Sequence, residues 1–165
     1  HRLFRRQRQM CIRDRDLARR LNINFNSIPI EKLMTSFEES FIKTIDFEMA
    51  EITNQNIQSR IRGTLLMALA NQEKHLLLST GNKSELAVGY CTLYGDMNGG
   101  LSVIGDLYKS NVFKLCNWLD SKDSINHRKS YMLNMNVDII GENIRKKAPS
   151  AELGPNQLDL SLIHI

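Results

Sequence analysis

Apolar residues recur at helical spacing in two long runs of the chain. In the run 31–49 an apolar residue recurs every four positions, at Leu33, Phe37, Phe41 and Ile45. In the run 54–73 the same spacing is found at Ile57, Ile61, Leu65 and Leu69. A stripe of this kind is typical of an amphipathic helix that buries one face. Both runs are therefore predicted as helices, and the second is expected to bury this apolar edge and to be capped by Thr53.

The other apolar runs are short, and several of them predict strands. Residues 23–30, INFNSIPI, alternate apolar and polar side chains, which favours a strand. Residues 74–80, KHLLLST, are expected to form a strand buried on both faces. A third strand is predicted within 101–109. The remaining predicted elements are helices at 16–22, 84–94 and 110–122, the last capped by Ser110 or Asn111, a Gly-rich loop at 95–100, and a helical turn followed by a loop within 139–159.

Helices that alternate with strands along a chain indicate a parallel sheet covered by helices on both faces. The predicted fold class is therefore α/β, with a doubly wound parallel sheet. Ligands of such folds bind beyond the carboxyl ends of the strands, where a loop leads into the next helix. The turn 79–85, which follows the apolar run HLLL, is predicted to lie at such a place.

Length and composition fit one globular domain of 165 residues, and no apolar run is long enough for a membrane-spanning helix. The three cysteines, Cys11, Cys91 and Cys116, are too few and too scattered for a disulfide framework or a zinc site. A reducing cytoplasm is the expected compartment. The net charge of +4 is concentrated at one end, because residues 1–15 carry +5 and the other 150 residues carry −1. Nucleic-acid binding is therefore expected only if this arm is genuine.

The two ends of the chain are predicted to be non-native. The run RQRQMCIRDR and the closing LSLIHI both resemble translated sequencing-adapter read-through. The domain division predicted on this basis is a tail at 1–15, a folded part at 16–159 and a second tail at 160–165. The alternative is that residues 1–15 are a native basic arm.

The turn in STGNKSELAVGY, residues 79–90, supports two interpretations. Asn82 and Glu85 have the spacing of a capping box, in which each side chain bonds to the backbone of the other residue. Gly81 also permits close approach of a ligand, and a helix start offers N–H groups to an anion. Thr80 offers a hydroxyl, and Glu85 offers oxygen ligands for Mg²⁺. Spacing alone favours the capping box.

Three blocks of sequence in order carry a more specific signal. NIQSRIRGTLLMALAN, STGNKSELAVGYCTLYGDMNGG and KKAPSAELGPNQLD together resemble the synthetase domain of NAD⁺ synthetase, the glutamine-dependent type in particular. The resemblance runs from about Asp16 to Asp159. It implies a Rossmann-like ATP-pyrophosphatase fold that is incomplete here. It also implies a reaction in which ATP adenylates the carboxylate of deamido-NAD⁺, with Mg²⁺ present, and ammonia then displaces AMP to give NAD⁺.

The resemblance also implies site residues. Those matching positions that contact ATP are Thr80, Lys109 and Ser150, and those matching dinucleotide positions are Asn56, Arg60, Glu85 and, more weakly, Asp96. Glu85 also matches a position near the metal. Each has a structural alternative, because helix caps, turn residues and solvated surface charges use the same residue types. Asn56 and Arg60 lie four apart and are predicted to reach one common object.

The sequence departs from the family pattern at both ends. The pyrophosphate-binding Ser-Gly-Gly-x-Asp-Ser loop, the glutaminase domain that supplies ammonia from glutamine, and the family's downstream tail are not found in it. This chain is therefore expected to be an inactive internal fragment of an active enzyme. The family implies a homodimer or higher homo-oligomer without nucleic-acid or membrane partners. The alternatives are another ATP-pyrophosphatase such as GMP synthetase, a basic-arm nucleic-acid binder, and a non-catalytic interaction module.

Overall fold

The computed structural model describes residues 2–45, 49–133 and 138–146. These residues divide between two units. One unit joins His1–Ser27 to Ser110–Ile165, and the other comprises Ile28–Lys109. The predicted ATP-site residue Ser150 lies outside the described residues.

Two long helices in the second unit confirm the periodicity of the sequence. Helix α2 spans Glu31–Ile45 and packs on helix α3, which spans Glu51–Glu73. The prediction that Thr53 caps α3 is wrong, because the helix begins three residues earlier than expected, after Ala50. Its C-cap is Lys74, whose left-handed backbone (φ 55°) lets its N–H reach the last carbonyls, as is typical of a helix C-terminus.

The buried side of α3 differs from the predicted apolar edge. Ile57 is buried as expected, but Leu69 at the other end of that edge is 39% exposed. The other buried residues of the helix are Ser59 and Gly63. Small residues are buried here because the loop 92–98 lies directly against this part of α3.

The second unit also contains a parallel sheet of two strands, β1 at Leu78–Ser79 and β2 at Leu101–Ser102. Both strands fall within predicted runs, and their parallel pairing confirms the predicted class. The expectation that β1 is buried on both faces is wrong for the described residues, because Leu78 remains 47% exposed. The sheet has two strands of two residues each, so it offers little surface for helices to cover.

A short helix, α4, spans Lys83–Ala87 between the two strands. It is shorter than the predicted helix over 84–94. Gly89 follows with φ at 68°, and the Tyr90 N–H donates to the Glu85 carbonyl oxygen at 2.9 Å. A glycine with positive φ just after the last turn ends a helix. The apolar residues after Gly89 continue the helical spacing, so the sequence pattern predicted a longer helix.

The described part of the first unit is helical. Its helices are α1 at Arg2–Leu21, α5 beginning at Lys109 and ending at Leu119, α6 at Ile125–Ser130 and α7 at Glu142–Arg145, with a 3₁₀ turn at Lys122–Ser124. Helix α1 runs without a break across the boundary predicted between residues 15 and 16, and the division of the chain into tails and folded part stays a prediction. The predicted caps of α5 are wrong, because Ser110 and Asn111 lie inside its first turn.

The strand predicted at 23–30 does not form. Residues 23–30 have no regular secondary structure, and Ile23 and Ile28 are more than half exposed. Pro29 lacks the N–H that a ladder of hydrogen bonds needs. An alternating pattern makes a strand only where a partner strand lies alongside, and the described sheet consists of β1 and β2.

A buried carboxylate fixes the segment before α7. Asp120 Oδ1 accepts hydrogen bonds from the N–H groups of Ile139 (2.7 Å) and Ile140 (3.0 Å), and its Oδ2 accepts one from Gly141 (2.8 Å). Arg145 Nη1 lies 3.0 Å from Oδ2, and the Asp120 side chain is fully buried. This one side chain therefore joins the end of α5 to the start of α7.

Asp16 on α1 forms ion pairs with Arg19 and Arg20, both at 2.8 Å. Hydrogen bonds from these two guanidinium groups hold the pKa of Asp16 below its ordinary value. None of the helices in the described part of the chain combines the length and apolar character needed to cross a membrane.

Candidate functional site

The turn between β1 and α4 contains the predicted capping box. Asn82 Oδ1 accepts the Glu85 N–H, and Glu85 Oε2 accepts the Asn82 N–H, both at 3.1 Å. The Lys83 N–H donates to the Leu107 carbonyl oxygen at 2.9 Å. These N–H groups are therefore satisfied within the chain and are not open to an anion, in contrast to the ligand interpretation of the helix start.

Lys109, the last residue of the second unit, is held against the first turn of α4. The Lys109 N–H donates to the hydroxyl of the buried Ser84 at 3.1 Å. The Lys109 ammonium lies 3.4 Å from Glu85 Oε1, and both side chains are mostly buried. Two residues that the resemblance assigns to ligands thus form an ion pair. The carboxylate of Glu85 serves two partners at once, the Asn82 backbone through one oxygen and Lys109 through the other.

A cavity of about 200 Å³ opens beside this pair. Glu85 and Asp96 are its acidic lining residues, and Tyr90, Cys91 and Met97 contribute apolar and polarisable surface. The rest of its wall consists of small and apolar residues of β1, β2 and the turns beside them: Ser79, Gly81, Leu86, Gly99, Gly100, Leu101 and Ser102. The cavity has the mixture of apolar surface and a few polar groups that is typical of small-molecule sites.

Asn56 and Arg60 reach one common object, as their spacing predicted. Asn56 Oδ1 accepts a hydrogen bond from the Thr92 hydroxyl at 3.0 Å, and Arg60 Nε donates to the Leu93 carbonyl oxygen at 3.1 Å. That object is the loop of residues 92–98. Neither Asn56 nor Arg60 is among the residues that line the cavity.

Asp96 stabilises the same loop and lines the cavity. Its Oδ1 accepts the Thr92 N–H at 2.6 Å, and its own N–H donates to the hydroxyl of Ser59 at 3.1 Å. Ser79 Oγ of β1 donates to the Asp96 carbonyl oxygen at 3.3 Å. The loop is therefore tied to α3 on one side and to β1 on the other.

The structure thus separates the sequence-predicted residues into groups. Glu85, Asp96 and Lys109 lie at the cavity or in contact with its lining, and Thr80 is exposed in the turn and is not a lining residue. Asn56 and Arg60 do not line the cavity but bond to the loop 92–98, which forms part of its wall. Sequence reasoning missed Ser59 and Ser84, two buried hydroxyls. Ser59 lies three residues after Asn56 and four before Gly63, so a search for small residues at helical spacing could have found it.

Gly63 lets the loop approach α3. A Cβ built on Gly63 would lie 2.7 Å from the Gly95 carbonyl oxygen and would also overlap the Asn98 amide. We expect Gly63→Ala to lower the free energy of unfolding by about 1–2 kcal/mol, because overpacking outweighs the better helix propensity of alanine. Urea-induced unfolding measures this, and Thr64→Ala on the exposed side of α3 is the control, with wild-type or slightly higher stability. A stabilised Gly63→Ala variant would contradict the close approach.

Whether the described residues can hold Mg²⁺ depends on how their acidic side chains are arranged. Within residues 2–45, 49–133 and 138–146, no group of three or more His, Cys, Asp or Glu side chains is arranged to hold a metal ion. Mg²⁺ in nucleotide sites is often held by one or two carboxylates together with substrate phosphates, and Glu85 is suited to contribute one such ligand.

Known proteins resemble this chain in sequence over most of its length. A glutamine-dependent NAD⁺ synthetase from Synechocystis is 48% identical over 143 residues, which cover 87% of this chain and 23% of that protein. The enzyme of the same name from Thermotoga maritima is 43% identical over 143 residues, again 87% of this chain and 23% of the relative. The chain thus spans about a quarter of the length of these relatives.

Solved structures of related enzymes also resemble this chain. The glutamine-dependent NAD⁺ synthetase from Acinetobacter baumannii, determined with adenosine diphosphate, superposes with a TM-score of 0.70 at 38% identity, covering 84% of this chain and 24% of that one. The NMN synthetase from Francisella tularensis gives a TM-score of 0.74 at 30% identity, covering 92% and 54%. These similarities confirm the Rossmann-like α/β class. The sequence profile of NAD synthase matches residues 5–165, and the chain belongs to the NAD synthase family.

Proposed function

We propose that this chain is part of the synthetase domain of an enzyme that converts deamido-NAD⁺ to NAD⁺ with ATP. The observation that carries the proposal is the Glu85–Lys109 pair beside a cavity, in a chain matched by the NAD synthase profile. The relative from A. baumannii, solved with a bound adenine nucleotide, supports the use of ATP. The reaction is the last step of NAD biosynthesis and makes the enzyme a carbon–nitrogen ligase.

The chemistry has two steps. The nicotinate carboxylate attacks the α-phosphate of ATP, so that a C–O–P linkage forms and pyrophosphate leaves. Ammonia then attacks the carbonyl carbon, AMP leaves with the bonding electron pair, and a proton is lost from nitrogen to give the amide. Adenylation is needed because a carboxylate is a poor electrophile without a leaving group. A cationic side chain beside the phosphates stabilises the charge that develops there.

We assign Lys109 to the phosphates and Glu85 to the dinucleotide. When phosphates enter, the Lys109 ammonium exchanges its Glu85 partner for phosphate oxygens, which suits the flexible point charge of a lysine. The freed Oε1 of Glu85 is then available to a donor on the substrate or to Mg²⁺ brought in by ATP. Mg²⁺ would neutralise charge on the phosphate oxygens. Thr80 is assigned to ATP through its exposed hydroxyl, together with Ser150.

Asn56, Arg60 and Asp96 remain proposed dinucleotide residues. Asp96 lines the cavity and can contact the substrate directly, whereas Asn56 and Arg60 bind the loop 92–98 and reach the substrate when these bonds rearrange. Glutamine as nitrogen source, a homodimer and a cytoplasmic location are further parts of the proposal. The names of the relatives support glutamine.

The test is an assay of NAD⁺ formation by the full-length enzyme that contains this chain. With deamido-NAD⁺, ATP, Mg²⁺ and either ammonia or glutamine, we expect one AMP and one pyrophosphate for each NAD⁺. Nicotinate mononucleotide, the acid form of NMN, is the competing substrate, because a structural neighbour is an NMN synthetase. A preference for the mononucleotide, or the absence of AMP as a product, would contradict the proposed function.

A further inference from the structure

The loop 92–98 forms part of the cavity wall, and its contacts with α3 fix its position. Asp96 and Met97 line the cavity, whereas the side of the loop away from the cavity lies against α3. The contacts with α3 fall at Asn56, Ser59, Arg60 and Gly63, which share one side of the helix because they are three and four residues apart. This face of α3 is used for holding a loop and does not itself line the cavity.

Ser59 is the central contact of this face. It is 6% exposed, and its hydroxyl oxygen accepts the Asp96 N–H at 3.1 Å. Gly95 lies so close that a Cβ built on it would be 3.0 Å from Ser59 Cβ and closer still to the hydroxyl oxygen. The adjoining carboxylate of Asp96 closes the turn by accepting the Thr92 N–H. Loss of the Ser59 hydroxyl therefore removes the acceptor of a partly buried N–H at the residue that lines the cavity.

We propose that Ser59 is a positioning residue that holds Asp96 and the 92–98 wall in the shape that binds substrate, without touching the substrate itself. The identity of the substrate rests on the proposed function. That Ser59 holds the loop 92–98 is independent of it. A wall that spends only part of its time in the binding-competent shape weakens apparent affinity in proportion to the fraction lost. Chemistry on the substrate that does bind is little affected.

The experiment compares Ser59→Ala with Thr64→Ala in the full-length enzyme. Thr64 lies on the same helix and is exposed, so its variant removes a hydroxyl that does not contact the loop. For Ser59→Ala we expect KM for deamido-NAD⁺ to rise about ten-fold while kcat stays within about two-fold of wild type, as loss of one partly buried hydrogen bond would give. Thr64→Ala should keep both constants. A fall in kcat at unchanged KM would overturn the proposal.

Hydrogen exchange provides a readout that is independent of the reaction. In Ser59→Ala the amides of residues 92–98 should exchange at least about ten-fold faster than in wild type, while those of the second half of α3 keep their rates. Unchanged protection of the Asp96 amide would overturn the positioning role. If Ser59→Ala does not fold, Ser59→Cys, which keeps the size of the side chain but weakens the acceptor, is measured in the same way with the same expected direction.

Failure of this proposal is distinguishable from failure of the proposed function. If the wild-type enzyme forms no NAD⁺, the proposed function is wrong, and hydrogen exchange alone decides whether Ser59 holds the loop. If the wild-type enzyme is active and Ser59→Ala has wild-type KM and protection, the function stands and the positioning role is wrong.

Discussion

Replacing Asp120 by alanine is expected to lower the free energy of unfolding by about 3–5 kcal/mol, the range measured when one partner of a buried charge pair is removed. The variant would leave the N–H groups of Ile139, Ile140 and Gly141 without an acceptor and Arg145 without its closest carboxylate. Urea-induced unfolding of the chain measures the effect through the fluorescence of Trp118, which is its single tryptophan and lies two residues from the substitution.

Two further variants separate the loss of the Asp120 charge from the loss of its acceptor oxygens and from a general effect of removing a carboxylate. Asp120→Asn keeps one acceptor oxygen but loses the charge, so its expected cost is smaller, about 1–3 kcal/mol. Asp123→Ala removes an exposed carboxylate three residues later and should leave stability within about 0.5 kcal/mol of wild type. Where no cooperative transition is seen, hydrogen exchange at residues 139–141 gives the same comparison. Wild-type protection there in Asp120→Ala would show that the carboxylate does not organise the segment before α7.

Asp120 also shows what the sequence could not predict. A carboxylate near the end of a helix is most often solvated, and its partners here lie 19–25 residues further along the chain. Local spacing could predict the capping box of Asn82 and Glu85, since both partners lie within one turn. Local spacing could not predict that Glu85 also pairs with Lys109, because Lys109 belongs to another helix.

The failed element predictions have a common physical cause. The strand expected at 23–30 needs a neighbouring strand, and alternation reports only which side chains could share a face. The apolar edge of α3 was expected to be its buried side, but a close-packed loop buries small residues better than large ones. Ser59 and Gly63 are buried for that reason, and their partners lie in the loop 92–98. The family resemblance identified the family correctly because it depends on whole blocks of sequence.

The larger functional effect is expected at Glu85. Glu85→Gln should lower kcat/KM for NAD⁺ formation about 100-fold or more, since removing the charge deprives the site of an anionic ligand. Glutamine at this position still supports a capping box, so the free energy of unfolding should stay within about 1 kcal/mol of wild type. The measurements are steady-state kinetics of the full-length enzyme and its thermal unfolding.

Matched variants distinguish a ligand from a helix cap. Glu85→Ala removes both roles, and should lose the same activity and a further roughly 1 kcal/mol of stability. Asn82→Ala removes the cap but keeps the carboxylate, so it should lose stability without the 100-fold loss of activity. Glu73→Gln, an equal change of charge at an exposed position, is the control and should match wild type. If Glu85→Gln has wild-type kcat/KM, Glu85 acts only as a cap, and the ligand role proposed for the Glu85–Lys109 pair is wrong.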